Sequence, residues 1–173
     1  MLHSFQGKGG SFPSAGLILD RAGNLYGTTF LGGTYGNGAV FKLSLEADGR
    51  WSETVLHSFQ SADGTNPGGG LIFDRAGNLY GTTPVGGVYG SGVVFKLAPD
   101  ADADGAWTET VLHSFQGGDG ANPVAALIFD RAGDLYGTTG TLVVGLNFVN
   151  LGTVFKLTPH ADGTWSETVL HSL

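Results

Sequence analysis

Two recurring loops carry side chains that could recognise a ligand. One is Gly32-Gly-Thr-Tyr-Gly-Asn-Gly38, which returns as Gly86-Gly-Val-Tyr-Gly-Ser-Gly92. The other is Asp63-Gly-Thr-Asn-Pro67, which returns as Asp119-Gly-Ala-Asn-Pro123. Aromatic rings that stack on a sugar face, with amides and carboxylates for its hydroxyls, are the chemistry of glycan recognition. Tyr35, Asn37, Asp63, Asn66, Tyr89, Asp119 and Asn122 are therefore the candidate ligand-binding residues. The plain alternative is that Gly, Asn, Asp and Pro only shape turns.

Other reactive side chains recur too regularly to mark a catalyst. Histidine stands in Leu-His-Ser at His3, His57, His113 and His171, and lysine in Val-Phe-Lys-Leu at Lys42, Lys96 and Lys156. A residue repeated once per structural unit reads as packing or hydrogen bonding, because an active site needs an unrepeated constellation. Arg21, Arg75 and Arg131 are expected to pair with nearby carboxylates or stay solvated, and Trp51, Trp107 and Trp165 to pack on an outer strand. Asp100-Ala-Asp-Ala-Asp-Gly105 resembles the opening of a calcium loop, but the twelfth position, where a chelating Glu belongs, is Val111. It reads as a long hairpin turn. No nucleophile elbow, zinc-protease helix, P-loop or dinucleotide fingerprint occurs, so no catalytic residue, metal or cofactor is expected. A carbohydrate-active hydrolase is the alternative, with carboxylates assembled across loops around the unrepeated segment Gly140 to Asn150.

The elements that position these residues follow from repetition. Asp20-Arg-Ala-Gly-Asn-Leu-Tyr-Gly-Thr-Thr29 returns unchanged at Asp74 to Thr83, and at Asp130 to Thr139 with Asp134 in place of the Asn. The Leu of Leu-His-Ser falls at Leu2, Leu56, Leu112 and Leu170, giving periods of 54, 56 and 58 residues. That is long for a solenoid coil and suits a propeller blade. Within one repeat, Gly70-Leu-Ile-Phe-Asp74 is a short apolar strand A, closed by a hairpin at Arg75-Ala-Gly-Asn78. Leu79 to Thr83 is strand B, whose internal Gly81 signals close backbone approach. Val93 to Leu97 is strand C, and Trp107 to Phe115, mixing apolar and polar positions, is an outer strand D.

The fold expected is all-β: a β-propeller of four-stranded antiparallel blades, three per chain, within one repeat domain spanning 1–173. The blades run 16–59, 70–115 and 126–173, with 2–5 a partial D strand. In such a blade the B-to-C and D-to-A loops emerge on one face, which gathers the candidate ligand residues.

The pattern Leu-His-Ser-Phe, Gly-Leu-Ile-x-Asp-x-Ala-Gly-Asn-Leu-Tyr-Gly-Thr-Thr, Gly-Gly-x-Tyr-Gly-x-Gly and Val-Phe-Lys-Leu resembles the Gloeo/Verruco (GloVer) repeats of bacterial proteins over essentially the whole chain. That resemblance implies an exported or cell-surface protein and brings no established activity; a noncatalytic extracellular binding or scaffold module is the function expected from the residues. The Asp-x-x-Gly-Asn-Leu-Tyr element is also similar to the A-to-B hairpin of NHL-type propellers, a likeness of fold alone. The third repeat departs from the pattern, since Gly140 to Asn150 replaces the Gly-Gly-x-Tyr-Gly loop.

Composition narrows the partners. Hydrophobic residues make up 41% and charged residues 13%, with 31 glycines, which describes a folded, turn-dense chain rather than a linker. A net charge of −7 with only eight Lys and Arg lacks the electrostatic term of nucleic-acid or anionic-membrane binding. There is no cysteine, no apolar run of membrane-spanning length and no secretion signal at Met1-Leu-His-Ser-Phe. The chain opens within a repeat, which suggests a piece of a longer array or a unit built to associate. Propellers carry about four to eight blades. Three blades are therefore expected to pair with a second copy as a homodimer forming a six-bladed ring, or to remain a purely structural element of an array.

Overall fold

A computed structural model of the chain describes residues 2–102, 105–140, 142–144 and 147–173. Asp104 of the acidic turn, and Thr141, Gly145 and Leu146 of the unrepeated loop, lie outside the described residues. The first repeat contains β1 (Ile18–Leu19), β2 (Leu25–Thr29), β3 (Ala39–Leu45) and β4 (Trp51–Ser58). The second contains β5 (Ile72–Phe73), β6 (Leu79–Thr83), β7 (Val93–Pro99) and β8 (Trp107–Ser114). The third contains β9 (Ile128–Phe129) and β10 (Leu135–Thr138), an inserted hairpin of β11 (Leu142–Val144) and β12 (Asn147–Asn150), then β13 (Thr153–Pro159) and β14 (Trp165–Ser172). Each repeat is a four-stranded antiparallel sheet in sequence order, and β11 and β12 pair separately. The described residues contain no α-helix; one 3-10 turn spans Gly7–Gly9.

Strand A is shorter than the sequence suggests, two residues in every repeat, because the chain on either side is committed elsewhere. After it, Asp74 builds the turn: Oδ1 accepts the N–H groups of Ala76 and Asn78, each at 2.9 Å, and Oδ2 accepts Asn78 Nδ2 at 2.6 Å and Tyr80 Oη at 3.0 Å. Before it, the backbone turns toward the next repeat, where a Cβ at Gly69 would lie 2.9 Å from the Ala125 carbonyl oxygen. Asp20 repeats the turn with Ala22, Asn24 and Tyr26, and Asp130 with Ala132, Gly133, Asp134 and Tyr136. The Asp-to-Tyr spacing of the motif is thus one side chain closing a hairpin and anchoring the strand that follows.

Two apolar cores lie between consecutive sheets. Tyr26, Val40, Leu56 and Phe59 of the first repeat meet Leu71, Leu79, Val93, Phe95 and Leu97 of the second. Tyr80, Val94 and Phe115 of the second meet Leu127, Leu135, Phe155 and Leu157 of the third. At the centre of each, a phenylalanine after strand D meets one on the next repeat's strand C edge-on: Phe59 with Phe95 at 5.0 Å and Phe115 with Phe155 at 5.1 Å between ring centres. The ring on strand C lies against the backbone of strand B, where a Cβ on Gly81 would sit 2.6 Å from Phe95 Cζ and 3.0 Å from Leu71 Cδ2. Gly27 with Phe41 and Gly137 with Phe155 repeat the arrangement, so the glycine inside strand B does mark close approach. The tryptophans also work between repeats: Trp107 packs on Tyr26 and Trp165 on Tyr80.

Leu2 to Phe5 fills the corresponding place ahead of the first repeat, with Phe5 and Phe41 edge-on at 4.7 Å. This cover is partial. Leu17 is 51% exposed, whereas its counterparts Leu71 and Leu127 are 2% and 1% exposed.

Candidate functional site

Within the loop face, D-to-A and B-to-C loops are hydrogen-bonded both within and between repeats. Thr65 bridges to Val85 and Ala121 to Gly140, while the Asn66 N–H donates to Asn37 O at 2.7 Å and the Asn122 N–H to Ser91 O at 3.0 Å. Asn66 and Asn122 have φ of 60° and 51°, a left-handed conformation that Asn adopts more readily than most residues. Phe12 holds the equivalent position at 57°. Asn66 Nδ2 donates to Phe30 O at 2.8 Å, tying its loop to the preceding repeat. Asp63 and Asp119 accept the N–H groups of Gln60 and Gln116 at 2.7 and 2.8 Å through Oδ1. Five of the seven candidate ligand residues, Asn37 and Asn122 through their backbone, are thereby engaged in loop construction.

Tyr35 and Tyr89 differ from these: each is 57% exposed, in equivalent positions of consecutive repeats. Their loops are held from below by the serine of Leu-His-Ser. Ser58 Oγ accepts the Thr34 N–H at 3.1 Å, and Ser114 Oγ accepts the Val88 N–H at 3.0 Å.

A groove of about 820 Å³ is lined by Arg21, Arg75, Arg131, Phe73, Phe129 and Trp165, among others. None of the three arginines forms an ion pair among the described residues. Lys156 does: its Nζ lies 3.1 Å from Asp134 Oδ2, the residue that replaces Asn24 and Asn78 of the other repeats. In the acidic turn the Asp102 N–H donates to Asp100 Oδ1 at 3.0 Å, as in an ordinary Asx turn.

A cluster that the sequence did not reveal lies between repeats. His57 Nε2 is 3.2 Å from Asp63 Oδ2, and His113 Nε2 is 3.0 Å from Asp119 Oδ2. Facing them from the next repeat's strand D are Glu109 and Glu167, each with a buried Oε1 that has no hydrogen-bond partner among the described residues. Burial and the Asp63 carboxylate push the Glu109 carboxyl up to about 8; burial and Asp119 push Glu167 up to about 7. Burial lowers His57 and His113, against the opposing pull of Asp63 and Asp119, which favours neutral imidazoles. In the first repeat Gly9 occupies the aspartate's position, and His3 Nε2 reaches Glu53 Oε2 directly at 3.0 Å. The signal for Glu was its presence in each Trp-(Ser/Thr)-Glu-Thr-Val; its distance along the chain from its histidine, about one repeat, concealed the partnership.

Two facing carboxyl groups make stability depend on pH. Because the folded-state value of Glu109 lies above the ordinary carboxylate value, its contribution is complete below about pH 4 and is lost as pH rises through about 8. Glu109→Gln keeps the shape of the protonated form beside Asp63 and His57 without the charge. In thermal denaturation with chelator present, the variant's midpoint should rise relative to wild type as pH increases from about 4 to about 9. A constant difference across that range would contradict the assignment.

No curated protein matches the chain. The model of the Gloeobacter/Verrucomicrobia repeat matches residues 1–173, and with the repeat-by-repeat recurrence of its turns, cores and clusters the chain belongs to that family.

Proposed function

We propose that the protein is a noncatalytic scaffold and binding module, three blades of a β-propeller that a second copy completes to a six-bladed ring. The observation that carries this reading is the match between the two terminal faces. The third repeat presents Ile128, Leu170 and Leu173, which are 66%, 50% and 72% exposed. Their counterparts Ile72 and Leu112 pack against the second core, and Phe115 is fully buried in it. The first repeat offers the opposite half: Leu17, Leu25, Phe41 and Leu43 line a groove of about 290 Å³ that Leu2 and Phe5 only partly fill. A face of the third kind fits a face of the first kind as the second repeat fits the third, which is a head-to-tail contact that two copies can close. Closure requires Leu2–Phe5 of one copy or Leu170–Leu173 of the other to give way, because both are the end of the same D strand.

Light scattering over a dilution series tests this. The expected mass is twice 17.8 kDa, falling to one chain in Leu170→Glu, which places a charge on the apolar face. A wild-type chain that is monomeric at every concentration would overturn ring closure.

The ligand class that best suits the loop face is a glycan, with Tyr35 and Tyr89 as stacking platforms and Asn37, Asp63, Asn66, Asp119 and Asn122 shaping the loops around them. The family resemblance supports a bacterial extracellular or cell-surface setting. In affinity electrophoresis through gels carrying soluble polysaccharides, the wild-type chain should be retarded and the Tyr35→Ala/Tyr89→Ala variant released, with its thermal midpoint preserved. Equal mobility of the two proteins would remove the glycan reading and leave the scaffold.

A further inference from the structure

We propose that His113, Asp119 and Glu167 form a binding site for one divalent transition-metal ion, such as Zn²⁺, between the second and third repeats. One ligand atom of each lies within 4.8 Å of those of the other two, the one set so gathered among the described residues. An imidazole nitrogen with two carboxylate oxygens is a donor set suited to Zn²⁺, and it leaves a fourth position for water. Zinc bonds of about 2.0–2.2 Å in tetrahedral geometry place donors roughly 3.3–3.6 Å apart. His113 Nε2 and Asp119 Oδ2, now 3.0 Å apart, need separate only slightly to admit the ion.

A second observation points to the same occupant. Glu167 Oε1 has no accessible surface and no hydrogen-bond donor among the described residues, although it faces another carboxylate. Burying such an oxygen unsatisfied is costly, and a cation shared by the three groups removes the cost at once. Glu53 Oε1 and Glu109 Oε1 are likewise buried without a hydrogen-bond partner among the described residues, and His3 bonds only the other oxygen of Glu53. What distinguishes Glu167 is that a histidine and an aspartate are gathered with it.

The donors come from β8, the loop after it, and β14, so a bound ion ties two repeats together and stabilises the folded chain by mass action. His113 coordinates through Nε2 with its proton on Nδ1, so acid competes with the metal.

The test is calorimetric titration of the chelator-treated, dialysed chain with Zn²⁺ alone at about pH 7.5, with thermal denaturation in parallel. The expected result is one ion per chain and a higher thermal midpoint that chelator reverses. Binding should weaken at least ~10-fold in Asp119→Asn and in Glu167→Gln, and be unchanged in His171→Ala, a histidine on the exposed C-terminal strand. Glu167→Gln removes a buried charge and keeps its shape, so the metal-free variant should remain folded, which circular dichroism verifies. Absence of stoichiometric binding by folded wild type, or equal binding by Glu167→Gln, would overturn the site. Ca²⁺ binding as strongly as Zn²⁺ would overturn the choice of a transition ion.

Discussion

One contact organises this protein: a phenylalanine from the end of one repeat standing edge-on against a phenylalanine of the next, over a strand that is glycine at the point of closest approach. It occurs at Phe5 with Phe41, Phe59 with Phe95, and Phe115 with Phe155. The glycine cannot carry a side chain without striking rigid rings, and neither ring can be buried within its own repeat. Each sheet therefore takes its core from its neighbour, and stability belongs to the interfaces. The chain can be extended or closed only by supplying more of the same interface. A three-repeat chain consequently ends on two unlike apolar faces.

The polar side of the same interfaces is less settled energetically. The Asp-x-x-Gly-Asn-Leu-Tyr hairpin is self-sufficient, since Asp74 and its equivalents are saturated by donors a few residues away. Despite the opposing effect of burial, those donors hold the Asp74 carboxyl below its ordinary range. The His-Asp-Glu groups are the reverse case. Each member comes from a different element, and burial together with the neighbouring aspartate raises the glutamate. In the first repeat Gly9 stands in the aspartate's place, and His3 bonds one oxygen of Glu53 while the other is buried without a partner among the described residues. The aspartate of the later repeats sets a second carboxylate beside the glutamate, which makes those interfaces responsive to protons.

Local features were the legible ones. Strands B and C were readable from β-branched and aromatic runs, the A-to-B hairpin from Asp, Gly and Asn, and the close approach in strand B from Gly81. What escaped depends on contacts between repeats. Strand A is shorter than its apolar run because the preceding backbone leaves the sheet to meet the next repeat near Ala125. Of the loop candidates, Asp63, Asn66 and Asp119 also bond backbone groups with their side chains, while Tyr35 and Tyr89 are more than half exposed. The glutamates were unreadable for the same reason: a partnership between residues a whole repeat apart has no local signature.

The most direct measurement of the central claim is the equilibrium unfolding of Phe115→Ala. Removing a fully buried ring at the second interface should cost about 3–5 kcal/mol and split the transition, with the third repeat unfolding before the first two. A single transition, displaced by less than about 1 kcal/mol, would show that the repeats do not depend on this contact and would contradict the account.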